Sequence, residues 1–290
     1  MTIKGLAIIG ESINDSVPST QKLFNANDLE GLKALARSQD EGGAAYIDVN
    51  VGRRSADFMA HMVREVQGVT AKPLSIDTPD PELARAGLAA YDRARAGGRL
   101  AVFNSVAQSR MELMELYRAT PFMPILMVSE RVENGEGRPN RTAAETHQTA
   151  RELIGAARQL GVAVAQCIID VGIAPVGSDS EGITRRVLDS MRLIHDDPAF
   201  RGVHMSVGLS NFTVMLPSKR PDGLAVKGTL ESAFITRAMP LGLDMVIGSV
   251  KRHYELLPPD HPALRCLDDV LRLGGFDGIL RVKDFYEGNA

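Results

Sequence analysis

Several features that mark specialised classes of protein are scarce in this chain of 290 residues. Its two cysteines, Cys167 and Cys266, are far apart and belong to no Cys-x-x-Cys or Cys/His cluster, so neither a disulfide scaffold nor a zinc site is predicted. The net charge is only −3, which argues against a nucleic-acid-binding protein with a basic surface. No apolar run reaches the roughly 18 residues that span a membrane, and the N-terminal apolar stretch is too short for a signal peptide. We therefore expect a cytoplasmic protein that binds neither nucleic acid nor membrane.

Eight short apolar segments recur along the chain, with the length and the Val, Ile and Leu content of strands that are buried on both faces. They are LAIIG (6–10), AYIDVNV (45–51), PLSID (73–77), LAVFN (100–104), PILMV (124–128), CIIDVG (167–172), HMSVGLSN (204–211) and LDMVIG (243–248). Segments with helical periodicity lie between them. The clearest spans 142–161 and begins with a capping box of Thr142 and Glu145; another spans about 28–41. Strands that alternate with helices indicate a parallel sheet.

The number of repeating units favours one fold. Eight β/α units fit a single (β/α)8 TIM barrel, which typically has about 250 residues. The alternative is a doubly wound open sheet, but that fold usually has a glycine-rich turn after its first strand, where this chain has Glu11-Ser12-Ile13-Asn14. We predict one α/β domain over 1–290, with flexible loops at 134–140 (NGEGRPN) and 212–226.

Polar side chains end almost every predicted strand, which is where the active site of a (β/α)8 barrel lies. They are Glu11 and Asn14, Asp48 and Asn50, Asp77 and Thr78, Asn104 and Ser105, Ser129 and Glu130, Asp170, and Ser210 and Asn211. A single such residue is most often the N-cap of the next helix. Seven strand ends with this character in one chain indicate a binding site.

The chemistry of these side chains limits the classes of ligand that fit, but does not identify one. Positive groups are few, so the strand ends are poorly suited to hold a phosphate. Asp48, Asp77 and Asp170, with the neighbouring amides, could bind a divalent metal through oxygen. They could equally bind a flat heterocycle with adjacent N–H donors, because a carboxylate accepts two parallel hydrogen bonds. The metal hypothesis is the weaker one, since no strand end carries two carboxylates.

Six of the strand ends, taken together, resemble the motifs of a known family. The segments are IIGESIN (8–14), QDEGGAAYIDVNVG (39–52), PLSIDT (73–78), VFNS (102–105), IIDVGI (168–173) and VGLSN (207–211). In this order over residues 6–250, they resemble the pterin-binding barrels. Within these, the chain is most similar to the methyltetrahydrofolate:corrinoid-protein methyltransferases and to the folate domain of cobalamin-dependent methionine synthase.

The resemblance implies a site for a pterin at the barrel mouth. In that family, the residues that match Asp77, Asn104 and Asp170 hold the polar edge of the pterin. The residue that matches Asn211 is catalytic and hydrogen-bonds the nitrogen that carries the methyl group. The substrate-binding set implied for this chain is Glu11, Asp48, Asn50, Asp77, Asn104, Asp170 and Asn211, with Asp48 and Asn50 at the floor of the pocket.

The resemblance also implies a reaction and its partners. The reaction is methyl transfer between N5 of methyltetrahydrofolate and the cobalt of a corrinoid (cobalamin). This chain has no Asp-x-His-x-x-Gly segment of a corrinoid-binding domain, so the corrinoid is expected on a separate, transiently bound protein. The family usually forms homodimers, and no metal is expected to bind to this chain itself.

Three alternatives stay open. Dihydropteroate synthase usually has a Ser-Arg-Lys motif at the seventh strand, where this chain has Leu209-Ser210-Asn211-Phe212, although ILRVKDF (279–285) resembles that enzyme's closing segment with Lys283 in place of a His. A non-catalytic folate-binding protein would keep the pocket without methyl transfer. A magnesium-dependent lyase would use Asp48, Asp77 and Asp170.

Overall fold

A computed structural model describes residues 3–289. Its strands in chain order are β1 (Ala7–Asn14), β2 (Tyr46–Asn50), β3 (Leu74–Asp77), β4 (Ala101–Val106), β5 (Phe122–Met127), β6 (Glu130–Glu133), β7 (Glu136–Pro139), β8 (Ile168–Asp170), β9 (His204–Ser206) and β10 (Met245–Gly248). Eight of them form one parallel sheet in the order β10-β1-β2-β3-β4-β5-β8-β9. Parallel bridges from Met205 to Leu243 and from Gly208 to Ile247 join β9 to the segment of β10 and close the sheet. The predicted single (β/α)8 barrel is confirmed.

Helices surround the sheet on its outer side. They are α1 (Pro18–Asn25), α2 (Leu29–Glu41), α3 (Ala56–Gln67), α4 (Pro81–Ala90), α5 (Ala143–Gln159), α6 (Ile183–Asp196), α7 (Lys227–Ala238), α8 (Pro262–Leu273) and α9 (Gly275–Glu287). The predicted capping box is present, because the Thr142 side chain accepts from the Glu145 N–H and the Glu145 side chain accepts from the Thr142 N–H. No helix within residues 3–289 is long and apolar enough to cross a membrane.

Apolar side chains fill the barrel and the layer between its strands and helices. The interior layer consists of buried residues from five strands: Ile9, Val102, Ile125, Ile168 and Met245. The larger cluster lies between the outer face of the sheet and the surrounding helices. This packed interior fills the barrel, and in this fold ligands bind at the C-terminal strand ends and the loops that follow them.

One prediction about a loop was wrong. The segment 134–140, expected to be flexible, contains β7, which pairs with β6 as an antiparallel hairpin. The connecting turn is Asn134-Gly135, and both residues have a positive φ (54° and 82°), as a two-residue turn of type I′ requires. The buried side chain of Asn140 anchors the hairpin by donating to the Val128 carbonyl and to Thr149 Oγ1, each at 2.9 Å.

The 212–226 segment after β9 also has more order than a plain loop. Lys219 and Ala225 form an antiparallel bridge, and the Arg220 N–H donates to the Leu224 carbonyl at 2.8 Å. The Arg220 guanidinium lies over the ring of Phe285 in α9, 5.3 Å from its centroid. The basic side chain of Arg220 is therefore directed toward the last helix.

Candidate functional site

Three of the predicted site residues meet where β2 and β3 end. Asn50 Nδ2 donates to Asp77 Oδ2 at 2.9 Å, while Asn50 Oδ1 accepts from the Gly52 N–H at 2.9 Å. Asp48 lies two residues earlier on β2, with Ser75 as its neighbour on β3. It is fully buried, and neither of its carboxyl oxygens has a hydrogen-bond partner among residues 3–289.

Burial disfavours the charged forms of Asp48 and Asp77. Loss of water around Asp48, and then the nearby negative charge of Asp77, raise the pKa of Asp48 well above its usual range. Burial raises the pKa of Asp77 as well, although the hydrogen bond from Asn50 opposes the shift. Asp48 is therefore held toward its neutral form.

Asn104 lies beside Asp77, on the next strand of the barrel. It is the direct neighbour of Asp77 in the pairing of β3 with β4. Its side-chain amide has no hydrogen-bond partner in the described part of the chain. The following residue is held in place, because Arg110 donates to the Ser105 carbonyl at 3.0 Å and to Ser105 Oγ at 2.8 Å. An amide with a free donor and a free acceptor thus stands beside the Asp77 carboxylate.

Asp170 provides a second carboxylate at the end of β8. Its Oδ1 accepts from the Gly172 N–H at 2.8 Å, and its Oδ2 accepts from Ser206 Oγ at 3.0 Å. Only 4% of Asp170 is exposed, and this burial raises its pKa to about 6 despite the two hydrogen bonds. Each oxygen still has acceptor capacity for an N–H group of a ligand.

The interpretation of these strand-end residues as helix caps is wrong for Asp77 and Asp170. Helix α4 is capped by Asp80, which accepts from the Glu82 and Leu83 N–H groups. Helix α6 begins after Gly182, and Asp179 accepts from its first N–H groups. Since other residues satisfy the helix ends, the carboxylates of Asp77 and Asp170 remain available to a ligand.

Glu11 in β1 bonds to the segment after β9, which lies two strands away around the closed barrel. The pairing of β1 with β2 is irregular between Gly10 and Ile13, and Gln39 Oε1 accepts from the Ser12 N–H at 2.9 Å within this interruption. The Glu11 carboxylate accepts from Ser210 Oγ at 3.0 Å. Burial raises the pKa of Glu11, and the hydrogen bond from Ser210 opposes this shift.

Asn211 lies in a short 3-10 turn, Leu209–Thr213, directly after β9. This residue is exposed, and its side-chain amide has no hydrogen-bond partner within residues 3–289. A side chain at Gly208 would place its Cβ 2.9 Å from Asn211 Nδ2, so the glycine leaves room for this amide. Unlike Asn50 and Asp77, Asn211 makes no direct hydrogen bond to another predicted site residue in the part of the chain described.

Two clefts open at this end of the barrel. One of about 900 Å³ is lined by Asn50, Asp77 and residues of the loops after β1, β2 and β3, including Arg53. The other, of about 660 Å³, lies between the hairpin and the start of α6 and includes Gly172 and Arg186. Asp77 lines the first cleft, whereas Asp170 itself lines neither of the two.

The magnesium hypothesis required a cluster formed by Asp48, Asp77 and Asp170. Within residues 3–289, no three His, Cys, Asp or Glu side chains come together as a group that could hold a metal ion. Asp48 and Asp77 are close, whereas Asp170 is bonded to Gly172 and Ser206 on the far side of β4 and β5.

Sequence reasoning missed several supporting residues. Gln39 and Ser206 bond to residues at the strand ends, and neither was singled out, although Gln39 begins the segment 39–52 and Ser206 lies in the strand segment 204–211. Thr213 and Glu231 form a buried hydrogen bond beneath the turn that carries Asn211. The one available signal for Glu231 was a charged residue within the apolar run of α7, which is unusual for a buried helix face.

The chain is similar to known proteins of one family. The family model described as "Pterin binding enzyme" matches residues 13–248. A methylcorrinoid:tetrahydrofolate methyltransferase from Eubacterium limosum is 23% identical over 248 residues, which are 83% of this chain and 84% of that protein.

Solved structures of two dihydropteroate synthases share the fold. The enzyme from Xanthomonas albilineans in complex with 7,8-dihydropteroate has 20% identity and a TM-score of 0.56, over 94% of this chain and 93% of that one. The enzyme from Vibrio fischeri ES114 has 13% identity and a TM-score of 0.60, over 98% and 93% of the two chains. At these identities, the likeness establishes the architecture alone.

Proposed function

Since this chain belongs to the pterin binding enzyme family, we propose that it transfers a methyl group between N5 of methyltetrahydrofolate and the cobalt of a corrinoid on a separate protein. The relative from Eubacterium limosum, named for methylcorrinoid and tetrahydrofolate, supports this reaction. The proposal makes tetrahydrofolate and methyltetrahydrofolate the substrates on this chain, and the corrinoid the group that the partner presents.

The proposed pterin contacts follow from the hydrogen-bonding capacity at the strand ends. A pterin carries a 2-amino group beside a ring N–H, which together offer parallel donors to one carboxylate. Asp170 is buried and has acceptor capacity to receive such a pair, and Asp77 and Asn104 offer an acceptor and an amide on neighbouring strands. Asn50 holds Asp77 by a hydrogen bond from β2, and Asp48, two residues earlier on that strand, is held toward its neutral form.

The residues at the end of β9 favour methyl transfer over dihydropteroate synthesis as the proposed reaction. The segment 204–216 contains no Lys or Arg, although a diphosphate leaving group requires positive charge nearby. Farther along the loop, Arg220 lies over Phe285. Lys283, which resembled part of the synthase's closing segment, is exposed in α9 and lies 3.7 Å from Glu287. An uncharged amide, Asn211, stands where a cation would be needed.

The mechanism we propose depends on the leaving nitrogen. When the methyl–N5 bond breaks and the methyl–cobalt bond forms, N5 takes the electron pair, and an amine leaves poorly unless it gains a proton or strong hydrogen bonds. Asn211 can hydrogen-bond N5 and stabilise its protonated state. Its exposed position after β9 leaves this amide accessible to both the folate and the partner's corrinoid.

Asn211→Ala tests this role. We expect the rate of methyl transfer in a single turnover to fall by about 100- to 1,000-fold, as for loss of one donor that stabilises a transition state. Binding of methyltetrahydrofolate should weaken much less. The assay mixes the protein with methyltetrahydrofolate and reduced cob(I)alamin and follows the cobalt absorbance. Asn134→Gly, which removes an exposed amide at the hairpin turn, should leave the rate unchanged. A normal rate in Asn211→Ala would refute the role.

We also propose that the protein is a homodimer, as the family resemblance implies. The end of the chain carries an apolar surface that suits such contact: Leu273, Phe276 and Leu280 are 42%, 70% and 40% exposed. We expect light scattering coupled to size exclusion to give twice the monomer mass, and Phe276→Glu to give the monomer. A monomeric wild-type protein at micromolar concentration would contradict this.

A further inference from the structure

A buried carboxylate lies directly under the turn that carries Asn211. Glu231 belongs to α7 and is 0% exposed. Its Oε1 accepts a hydrogen bond from Thr213 Oγ1, the last residue of the turn. Its Oε2 lies 3.4 Å from Arg252 Nε, in the segment after β10. The carboxylate therefore connects the segments that follow the last two barrel strands.

The turn is held on both sides of Asn211. On one side, Ser210 Oγ donates to Glu11 at 3.0 Å. On the other, Phe212 is fully buried against Phe234 of α7 with ring centroids 5.2 Å apart, and Thr213 is bonded to Glu231. Asn211 is the exposed residue between these anchors. Its backbone is fixed, while its amide is left free among the described residues.

Packing alone gives no reason for a carboxylate at position 231. A buried charge costs more than an apolar side chain of the same volume would, unless it is paired and hydrogen-bonded. Thr213 and Arg252 compensate part of this cost here, but both belong to loops at the barrel mouth and not to the core of α7. Burial of the Glu231 carboxylate is costly, and its partners lie in two loops of the site. We therefore infer that Glu231 holds those two loops in position.

We propose that Thr213 and Glu231 are positioning residues that fix the Asn211 amide relative to N5 of the folate. This inference rests on the proposed function. Neither residue touches the substrate; the Thr213 hydroxyl acts by holding the end of the turn to α7. A misplacement of about 1 Å at a reacting centre can cost on the order of 100-fold in rate, so a lost anchor should be visible in kcat.

Thr213→Val removes the hydroxyl and keeps the shape of the side chain. We expect kcat for methyl transfer to fall by about 10- to 100-fold, with KM for methyltetrahydrofolate changed less than about threefold, because the pterin edge is bound elsewhere. Thr213→Ser should restore most of the rate. Thr149→Val is the matched control, since it removes a buried hydroxyl with two hydrogen bonds at the hairpin and should leave kcat unchanged. Thermal unfolding confirms that each variant is folded, and Thr213→Ala replaces the valine variant if that one is not.

A double variant separates positioning from general destabilisation. In the Asn211→Ala background, Thr213→Val should reduce kcat no further, because the group that it positions is gone. Full additivity of the two losses, or an unchanged kcat in Thr213→Val with an active wild type, would overturn this inference alone. A wild-type protein that transfers no methyl group would overturn the proposed function, and the inference with it.

Discussion

At the scale of single residues, the mouth of this barrel holds carboxyl groups whose burial works against folding. Burial raises the pKa of Asp48, Asp77 and Asp170, which means that the folded protein disfavours their charged forms. Natural proteins accept such costs mainly at binding sites, where a ligand supplies the missing partners. The N–H groups of a pterin are partners of the right kind for Asp77 and Asp170.

Asp170→Asn should therefore stabilise the protein without ligand at neutral pH. The pKa of Asp170 is raised from 3.8 to about 6, so the folded state binds more protons than the unfolded state between these values. Stability is accordingly lost as pH rises toward 6, by at most about 3 kcal/mol at 1.36 kcal/mol per pKa unit. We expect urea denaturation at pH 7.5 to show a gain of about 1–3 kcal/mol for Asp170→Asn, and the gain should vanish near pH 3.8.

The control is Asp260→Asn, at an exposed position, where a change below about 0.5 kcal/mol is expected at either pH. If Asp170→Asn were less stable than the wild type at pH 7.5, then the hydrogen bonds from Gly172 and Ser206 would outweigh the burial of the charge, and Asp170 would carry no net cost to folding.

At the scale of elements, the first strand shows how a local irregularity directs a functional side chain. At the interruption after Gly10, the Ser12 N–H donates to the Gln39 side chain instead of to β2. The neighbouring Glu11 side chain is directed toward Ser210. A Cβ at Gly10 would lie 2.5 Å from Gln39 Oε1, so the glycine leaves room for this side chain of α2. Bulges next to active sites commonly re-aim a side chain in this way.

Gly10→Ala should destabilise the protein by about 1–3 kcal/mol, because either Gln39 or the strand must shift. Gly155→Ala gives the opposite expectation: a Cβ at this position in α5 would meet no atom of residues 3–289 within 4 Å, and alanine favours the helix by about 1 kcal/mol. Chemical denaturation gives the free energy of unfolding of each variant. Equal stability of Gly10→Ala and the wild type would show that Gln39 moves aside without cost.

The sequence predicted elements better than it predicted contacts between them. All eight barrel strands and the α5 capping box followed from apolar runs and local spacing, which are properties of neighbouring residues. The hairpin of β6 and β7 was missed, even though Asn134-Gly135 is a typical two-residue turn, because its strands are exposed and carry no apolar alternation.

Contacts of long range could not be predicted from one sequence. Ser210 and Glu11 are 199 residues apart, and only closure of the barrel brings them together. Thr213 and Glu231 belong to different elements, and because sequence motifs describe neighbouring residues, no motif indicated their hydrogen bond. A site at the mouth could be predicted from the polar strand ends, because the order of parallel strands alone places those residues on one face.

At the scale of the whole molecule, the sheet closes around a packed interior, and its C-terminal end combines the carboxylates of Asp77 and Asp170 with the amides of Asn104 and Asn211, which have no hydrogen-bond partner among residues 3–289. Family membership makes a pterin the expected ligand. The absence of Lys and Arg from residues 204–216 favours methyltetrahydrofolate over a pterin diphosphate. The central claim is thus that this mouth binds the reduced, methylated folate through Asp170.

Calorimetric titration with 5-methyltetrahydrofolate, with Asp170→Ala alongside, tests that claim most directly. We predict saturable binding to the wild type and a loss of about 10- to 100-fold in affinity for Asp170→Ala, as expected when a charged hydrogen-bond acceptor is removed. The contradicting result is no binding of methyltetrahydrofolate while 6-hydroxymethyl-7,8-dihydropterin diphosphate binds, which would make the protein a dihydropteroate synthase.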